Sequence, residues 1–175
     1  MNEAIQNMLT RRSCRAYDPT RVIPDEDLEL ILQAGMYAPT GGGHQSPILV
    51  VVQKPETIKK LSRMNAKVMG NPARDPFYGA TTVIVVLAER GWISAVEDGA
   101  LVMGNLMNAA ASLGIGSCWI HRAKEEFDSD EGKALLKEWG IEGDYQGVGH
   151  CVLGYPIAPS RPAIPRKANY VTYVR

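Results

Sequence analysis

The chain has 175 residues, 45% of them hydrophobic, which is enough to bury the core of one domain spanning 1–175. Its 19 Lys and Arg match its 19 Asp and Glu, a balance that excludes a general nucleic-acid-binding surface. Cys14, Cys118 and Cys151 form no CxxC or Cys/His pattern, which excludes a zinc module and reads as free thiols in a reducing cytoplasm.

The first residues, MNEAIQNMLTRR, contain no apolar run of signal-peptide type, so a cytoplasmic location is expected. Ile5, Met8 and Leu9 mark a short amphipathic stretch before the basic segment Arg11-Arg12-Ser13-Cys14-Arg15. Pro24-Asp25-Glu26-Asp27 opens a helix, because proline fits the first turn and acids suit the positive helix end. Leu28, Ile31, Leu32 and Gly35 then follow at one-face spacing, and Ala38-Pro39 stops the helix. Residues 40–47 are a loop, and the aliphatic run Ile48–Val52 reads as a buried strand. Pro55–Val68 reads as a helix with Ile58 and Leu61 inward. A loop broken by proline and glycine covers 69–80, and Thr82–Leu87 is a second buried strand.

Trp92–Leu113 reads as a long helix, with Asp98, Asn105, Asn108 and Ser112 on one narrow stripe. No charged side chain occurs between 99 and 120, but the asparagines, Ser112 and the glycines argue against a membrane span. Burying so apolar a helix in so small a chain points to a second subunit. Ile115–Ile120 is a third strand, Ser129–Trp139 a surface helix, and Gly147–Leu153 a fourth strand. The tail carries Pro156, Pro159, Pro162 and Pro165, a spacing that favours an extended arm. It leads to Arg166-Lys167 and to Tyr170–Val174, a β-prone stretch expected to pack on a sheet edge, its own or a partner's.

Three guanidinium groups and a hydroxyl within residues 11–15 fit an anion site, since guanidinium forks bind phosphate oxygens; a solvated basic turn is the plainer alternative. No GxGxxG follows a strand and no GxxxxGK[ST] occurs, so neither a Rossmann site nor a P-loop is supported. Gly41-Gly42-Gly43 permits close backbone approach to a planar ligand but more often marks a turn. His150 falls in a strand and reads as a core or edge residue, whereas His44 and His121 lie in or beside loops that line a pocket. Cys118 reads as packing rather than as a nucleophile, and no metal triad or Ser/His/Asp set is apparent. Anion-binding groups at both ends, without an acid-base constellation, point to chemistry carried by a phosphorylated cofactor.

Six segments stand in order along the chain: Arg11-Arg12-Ser13-x-Arg15, Ala38-Pro39-Thr40-Gly41-Gly42 with Gln45, Phe77-Tyr78-Gly79-Ala80, Asp98-Gly99-Ala100, Gly114 to Ile120 and Leu153-Gly154-Tyr155-Pro156. Together they resemble the nitroreductase-like family of FMN flavoproteins. The resemblance implies an α+β sandwich, a mixed and mainly antiparallel sheet flanked by helices, with the long helix at a homodimer interface. It implies FMN in two equivalent interface sites. Arg11, Ser13, Arg166 and Lys167 would hold the phosphate, with Arg12 near the phosphate or ribityl. Arg15 would face the flavin N1/C2 edge. Cys118, Trp119, Ile120 and His121 would line the ring and its N5, and Pro39, Thr40, Gly41 and Gln45 would come from the partner.

NAD(P)H would reduce the flavin, and a small planar acceptor such as a nitroaromatic or quinone would reoxidise it in alternation. Other flavin chemistry on the same fold (reductive dehalogenation or flavin fragmentation), a flavin carrier or sensor, and a phosphosugar-binding module without flavin are the rival readings. Two departures lie near the flavin edge: Gly43 stands where many members have Asn, and Ser46-Pro47 where they have Pro-Trp.

Overall fold

The structure is a computed structural model describing residues 1–175. Its elements run α1 (Glu3–Thr10), α2 (Asp25–Met36), β1 (Pro47–Val52), α3 (Pro55–Val68), β2 (Thr82–Glu89), α4 (Ala95–Ser112), β3 (Gly116–Ile120), α5 (Ala123–Asp128), α6 (Asp130–Glu138) and β4 (Tyr145–Gly154). The strands form one sheet in the order β1-β2-β4-β3, and every neighbouring pair is antiparallel. The parallel component of the expected mixed sheet is a single bridge, Ser13 to Ser117, on the open edge of β3.

β2 explains the two-sided packing. Side chains alternate across a strand, so Val83, Val85 and Leu87 face one core while Ile84, Val86 and Ala88 face the other. The first core lies under α3, α5 and α6 with Phe77, Phe127 and Leu135; the second lies under α2 and α4 with Ile31, Met103 and Leu106. A bulge between Val86 and Leu87 leaves Val148 unpaired on β4. The extra residue reverses the facing of its side chain, and Val148 joins the α2/α4 core.

Several details differ from the sequence reading. β1 is an edge strand rather than a buried one, with Val52 buried and Val51 37% exposed. The long helix begins at Ala95, not Trp92, and α5 occupies residues that carried no expected element. Most of the polar stripe of α4 meets protein: Asp98 is buried, Asn105 donates to the Ala34 carbonyl, and the Asn108 backbone carbonyl accepts from Asn7 of α1, while Ser112 at the end is exposed. The large apolar side chains that α4 leaves open are Val96 and Leu101. Tyr170–Val174 forms no strand within the chain, and residues 156–175 are exposed throughout. No helix is long and apolar enough to cross a membrane.

Candidate functional site

The basic segment lies against β3. After α1 ends at Thr10, the Cys14 N–H donates to the Ser117 carbonyl at 2.8 Å, which fixes residues 11–15 along the strand edge. Gly116 makes this approach possible, because a Cβ there would lie 2.9 Å from both Cys14 Sγ and Pro156 Cγ. The Tyr17 hydroxyl then donates to the Cys14 carbonyl at 2.9 Å from within the core.

Beside this segment opens a cleft of about 1380 Å³ lined by residues 11–16, by Met8 and Leu9, and by the arm from Ala158 to Arg166. It brings together Arg11, Arg12, Ser13, Arg15 and Arg166 from the two ends of the chain. Lys167 is not in its wall; the ammonium lies 5.5 Å from the Tyr170 ring centroid. The guanidinium groups differ in what they have to hold. Arg12 donates to the Leu9 and Arg11 carbonyls at 2.8 and 2.7 Å, satisfying acceptors left at the end of α1. Arg11 Nη1 is buried and has no partner. Such an N–H costs about 1–3 kcal/mol unless an acceptor reaches it.

Cys118 and Cys151 are packing groups. Burial pushes the Cys151 thiol up to about 12 and raises that of Cys118, where Arg15, a Ser13 hydrogen bond and Arg11 pull only partly the other way. Neither has the depressed value of a reactive cysteine.

Pro39, Thr40, Gly41 and Gln45 stand away from this cleft, and none of them lines it. Their loop is anchored on buried Asp98 at the start of α4. The carboxylate accepts from Gly41 N–H at 2.8 Å, Trp92 Nε1 and Ser94 Oγ at 3.2 Å, and Ser46 Oγ at 3.3 Å. Burial alone would raise this carboxyl, but those hydrogen bonds outweigh it and leave the group below its ordinary value. His44 stacks on Trp92 with centroids 3.9 Å apart and pairs with Glu89 at 2.7 Å. Gly43 adopts φ +70°, a left-handed conformation that asparagine also tolerates, so the departure at this position preserves the turn.

At the far end of β3, Cys118 and Ile120 are buried and Trp119 is half-buried. His121 is exposed, and neither its N–H nor that of Arg122 has a backbone acceptor. The turn here is held by residues the sequence reading did not select: Asn65, Arg122, Glu126 and His150. Their one signal was Asn65, a polar residue at i+7 and i+4 from the inward Ile58 and Leu61 of α3.

The family model for the nitroreductase family matches residues 8–155. The chain belongs to the nitroreductase family. A protein of Archaeoglobus fulgidus, named provisionally as an NADH dehydrogenase/NAD(P)H nitroreductase, is 35% identical over 161 residues, covering 89% of this chain and 87% of that one. Among solved structures, a nitroreductase with bound FMN from Bacteroides fragilis superposes with a TM-score of 0.91 at 30% identity, covering all of both chains. Another with bound FMN, from Desulfitobacterium hafniense, gives 0.88 at 25% identity, again over the whole of both chains. The α+β nitroreductase fold expected from the resemblance is therefore the fold of this chain.

Proposed function

We propose that this nitroreductase-family chain is an FMN-dependent NAD(P)H oxidoreductase, acting in the cytoplasm as a homodimer of single-domain subunits. The observation that carries the reading is the buried, unpartnered Arg11 Nη1, set in a cleft that also gathers Ser13, Arg15 and Arg166. A phosphate oxygen is the acceptor a guanidinium fork fits best. In this reading Arg11, Ser13 and Arg166 hold the FMN phosphate, with Lys167 beside them and Arg12 toward the ribityl chain. Arg15 supplies a fixed cation at the N1/C2 edge of the ring. β3 runs on from Ser117 through Cys118, Trp119 and Ile120 to His121, about 13 Å of extended chain, from the phosphate end to the ring edge.

When bound, FMN supplies the redox chemistry, accepting hydride at N5 from NAD(P)H and passing electrons to a small planar acceptor such as a nitroaromatic or quinone. The chain's own residues bind, orient and exclude water. His121 and His44 shape the pocket mouth and are not required proton donors.

Two observations support the homodimer. The Pro39–Gln45 loop is tied to Asp98 and does not line its own chain's cleft, so it is available to a partner's. Apolar side chains stay uncovered on α1 (Met8 60% exposed, Leu9 56%), on α4 (Leu101 48%) and along the arm and tail. A patch of that kind marks an interface. The test is an absorbance spectrum with light scattering, expected to give a yellow dimer with one FMN per chain. Arg11→Ala should weaken FMN binding by about 1.5–3 kcal/mol, the worth of a hydrogen bond to a charged group. A colourless monomer that takes up no added FMN would refute the proposal.

A further inference from the structure

The turn after β3 is clamped from inside the core. Asn65, fully buried on α3, donates through Nδ2 to the His121 carbonyl at 2.7 Å and to Glu126 Oε1. Its Oδ1 accepts from Arg122 Nε at 3.0 Å. Two acceptors on one side and a donor on the other fix the amide in a single orientation. Glu126 is held in turn by His150 Nε2 at 3.0 Å, and both side chains are buried. The residue thus gripped, Arg122, adopts φ +78°, where a side chain with a Cβ is disfavoured.

We propose that Asn65 is a positioning residue for the flavin. It holds the left-handed turn at Arg122, and through it the unpaired N–H groups of His121 and Arg122, against the ring edge. The inference rests on the FMN reading above, but the clamp itself is a property of the bare chain. Glu126 and His150 act one step further back, by fixing which way the Asn65 amide points. An N–H that meets an acceptor nitrogen of the oxidised ring loses that partner once the nitrogen is protonated on reduction. The turn therefore favours the oxidised form, and loosening it should weaken oxidised FMN more than reduced FMN.

The experiment uses Asn65→Ala together with Arg122→Ala and Arg122→Gly in the full-length protein. In Asn65→Ala, the backbone order parameter at residues 121 and 122 of the FMN-free protein should fall from about 0.85 toward 0.6. The ratio of oxidised to reduced FMN affinity, read from the midpoint potential, should shift about tenfold toward the reduced form. Arg122→Ala keeps the Cβ that disfavours φ +78° while losing the Nε contact, so the turn should loosen and the ratio should shift in the same direction. Arg122→Gly takes φ +78° without a Cβ penalty and should stay within about twofold of wild type.

The Arg122 pair decides the matter at a partly exposed position even where Asn65→Ala fails to fold. A rigid turn in Asn65→Ala, an unmoved potential in Asn65→Ala and Arg122→Ala, or equal potentials for Arg122→Ala and Arg122→Gly would overturn the proposal. Wild-type protein that takes up no FMN would overturn the FMN reading and the flavin half of this one, while the order parameters would still decide the clamp.

Discussion

Asp98→Asn removes one charge from the second anchor of the site while keeping its volume. The native carboxylate takes Gly41 N–H on Oδ1 and Ser46, Ser94 and Trp92 on Oδ2. An amide has one oxygen to offer in place of two. If that oxygen sits where Oδ2 was, the NH₂ faces Gly41 N–H; if it sits where Oδ1 was, the NH₂ faces Trp92 Nε1–H. Serine hydroxyls can turn to accept, but neither of those N–H groups can. One donor is therefore left unmade in either orientation, and the remaining bonds lose the help of the charge. An unsatisfied buried donor costs about 1–3 kcal/mol, and the lost charge assistance takes the total to about 3 kcal/mol. For a chain of this size that is a Tm lower by about 6–12 °C. The pH dependence gives a second readout. The carboxyl is held below its ordinary value in the fold, so its contribution is complete above about pH 4 and is lost as pH falls through the folded value. The gap between wild type and D98N should therefore be constant near neutrality and narrow on acidification below about pH 4. Thermal melts from pH 2.5 to 7 measure it. A loss under about 0.5 kcal/mol, typical of an unremarkable surface change, or a gap that stays constant to pH 2.5, would show that Asp98 does not anchor this loop as a charged group.

Gly116→Ala should displace the 11–15 segment from β3, since its Cβ would press on Cys14 and Pro156. FMN affinity should drop at least tenfold with little change in fold by circular dichroism, and an unchanged dissociation constant would mean the segment is not held by this contact. Truncation after Pro156 removes Arg166, Lys167 and the exposed arm and should lower both dimer stability and FMN content. A truncated chain that stays dimeric and fully yellow would assign the tail neither role. Initial-rate plots with NAD(P)H and a quinone should give parallel double-reciprocal lines, and His121→Ala should keep hydride transfer within about tenfold of wild type, less than the loss of a general acid or base. Intersecting lines would count against a single shared site.

Local signals carried much of the fold. α3 is observed over Pro55–Val68 as read, because proline at the first turn and the spacing of Ile58 and Leu61 all act within a few residues. β2 was legible as buried because both of its faces are apolar. β1 carries the same kind of aliphatic run, yet it lies at the sheet edge, since periodicity reports composition and not the number of neighbouring strands. α5 escaped because six residues are too few to show a helical period, and its Glu126, an acid in the first turn, is buried on His150. The tail residues 170–174 have β-prone side chains but no strand partner within their own chain.

The site divides along the same line. Arg11, Ser13 and Arg15 were legible because three guanidinium groups in a chain without net charge are a local anomaly, and the fold sets them on one strand edge. Arg166 reaches the same cleft from more than 150 residues away, which proline spacing hinted at and only the path of the arm realises. Asp98 and Asn65 are a different kind of residue. Asp98 stood out in sequence only as part of the Asp98-Gly99-Ala100 segment and Asn65 only as a polar residue on the inward face of α3, and each acquires its role from what crosses it in three dimensions: a loop for Asp98, a left-handed turn for Asn65. Both are fixed by several hydrogen bonds at once, which is how a backbone segment is kept in a conformation it would not otherwise hold. The cations that gather at the cleft can thus be read from the chain. The buried groups that set the precision of the surrounding backbone follow from the packing.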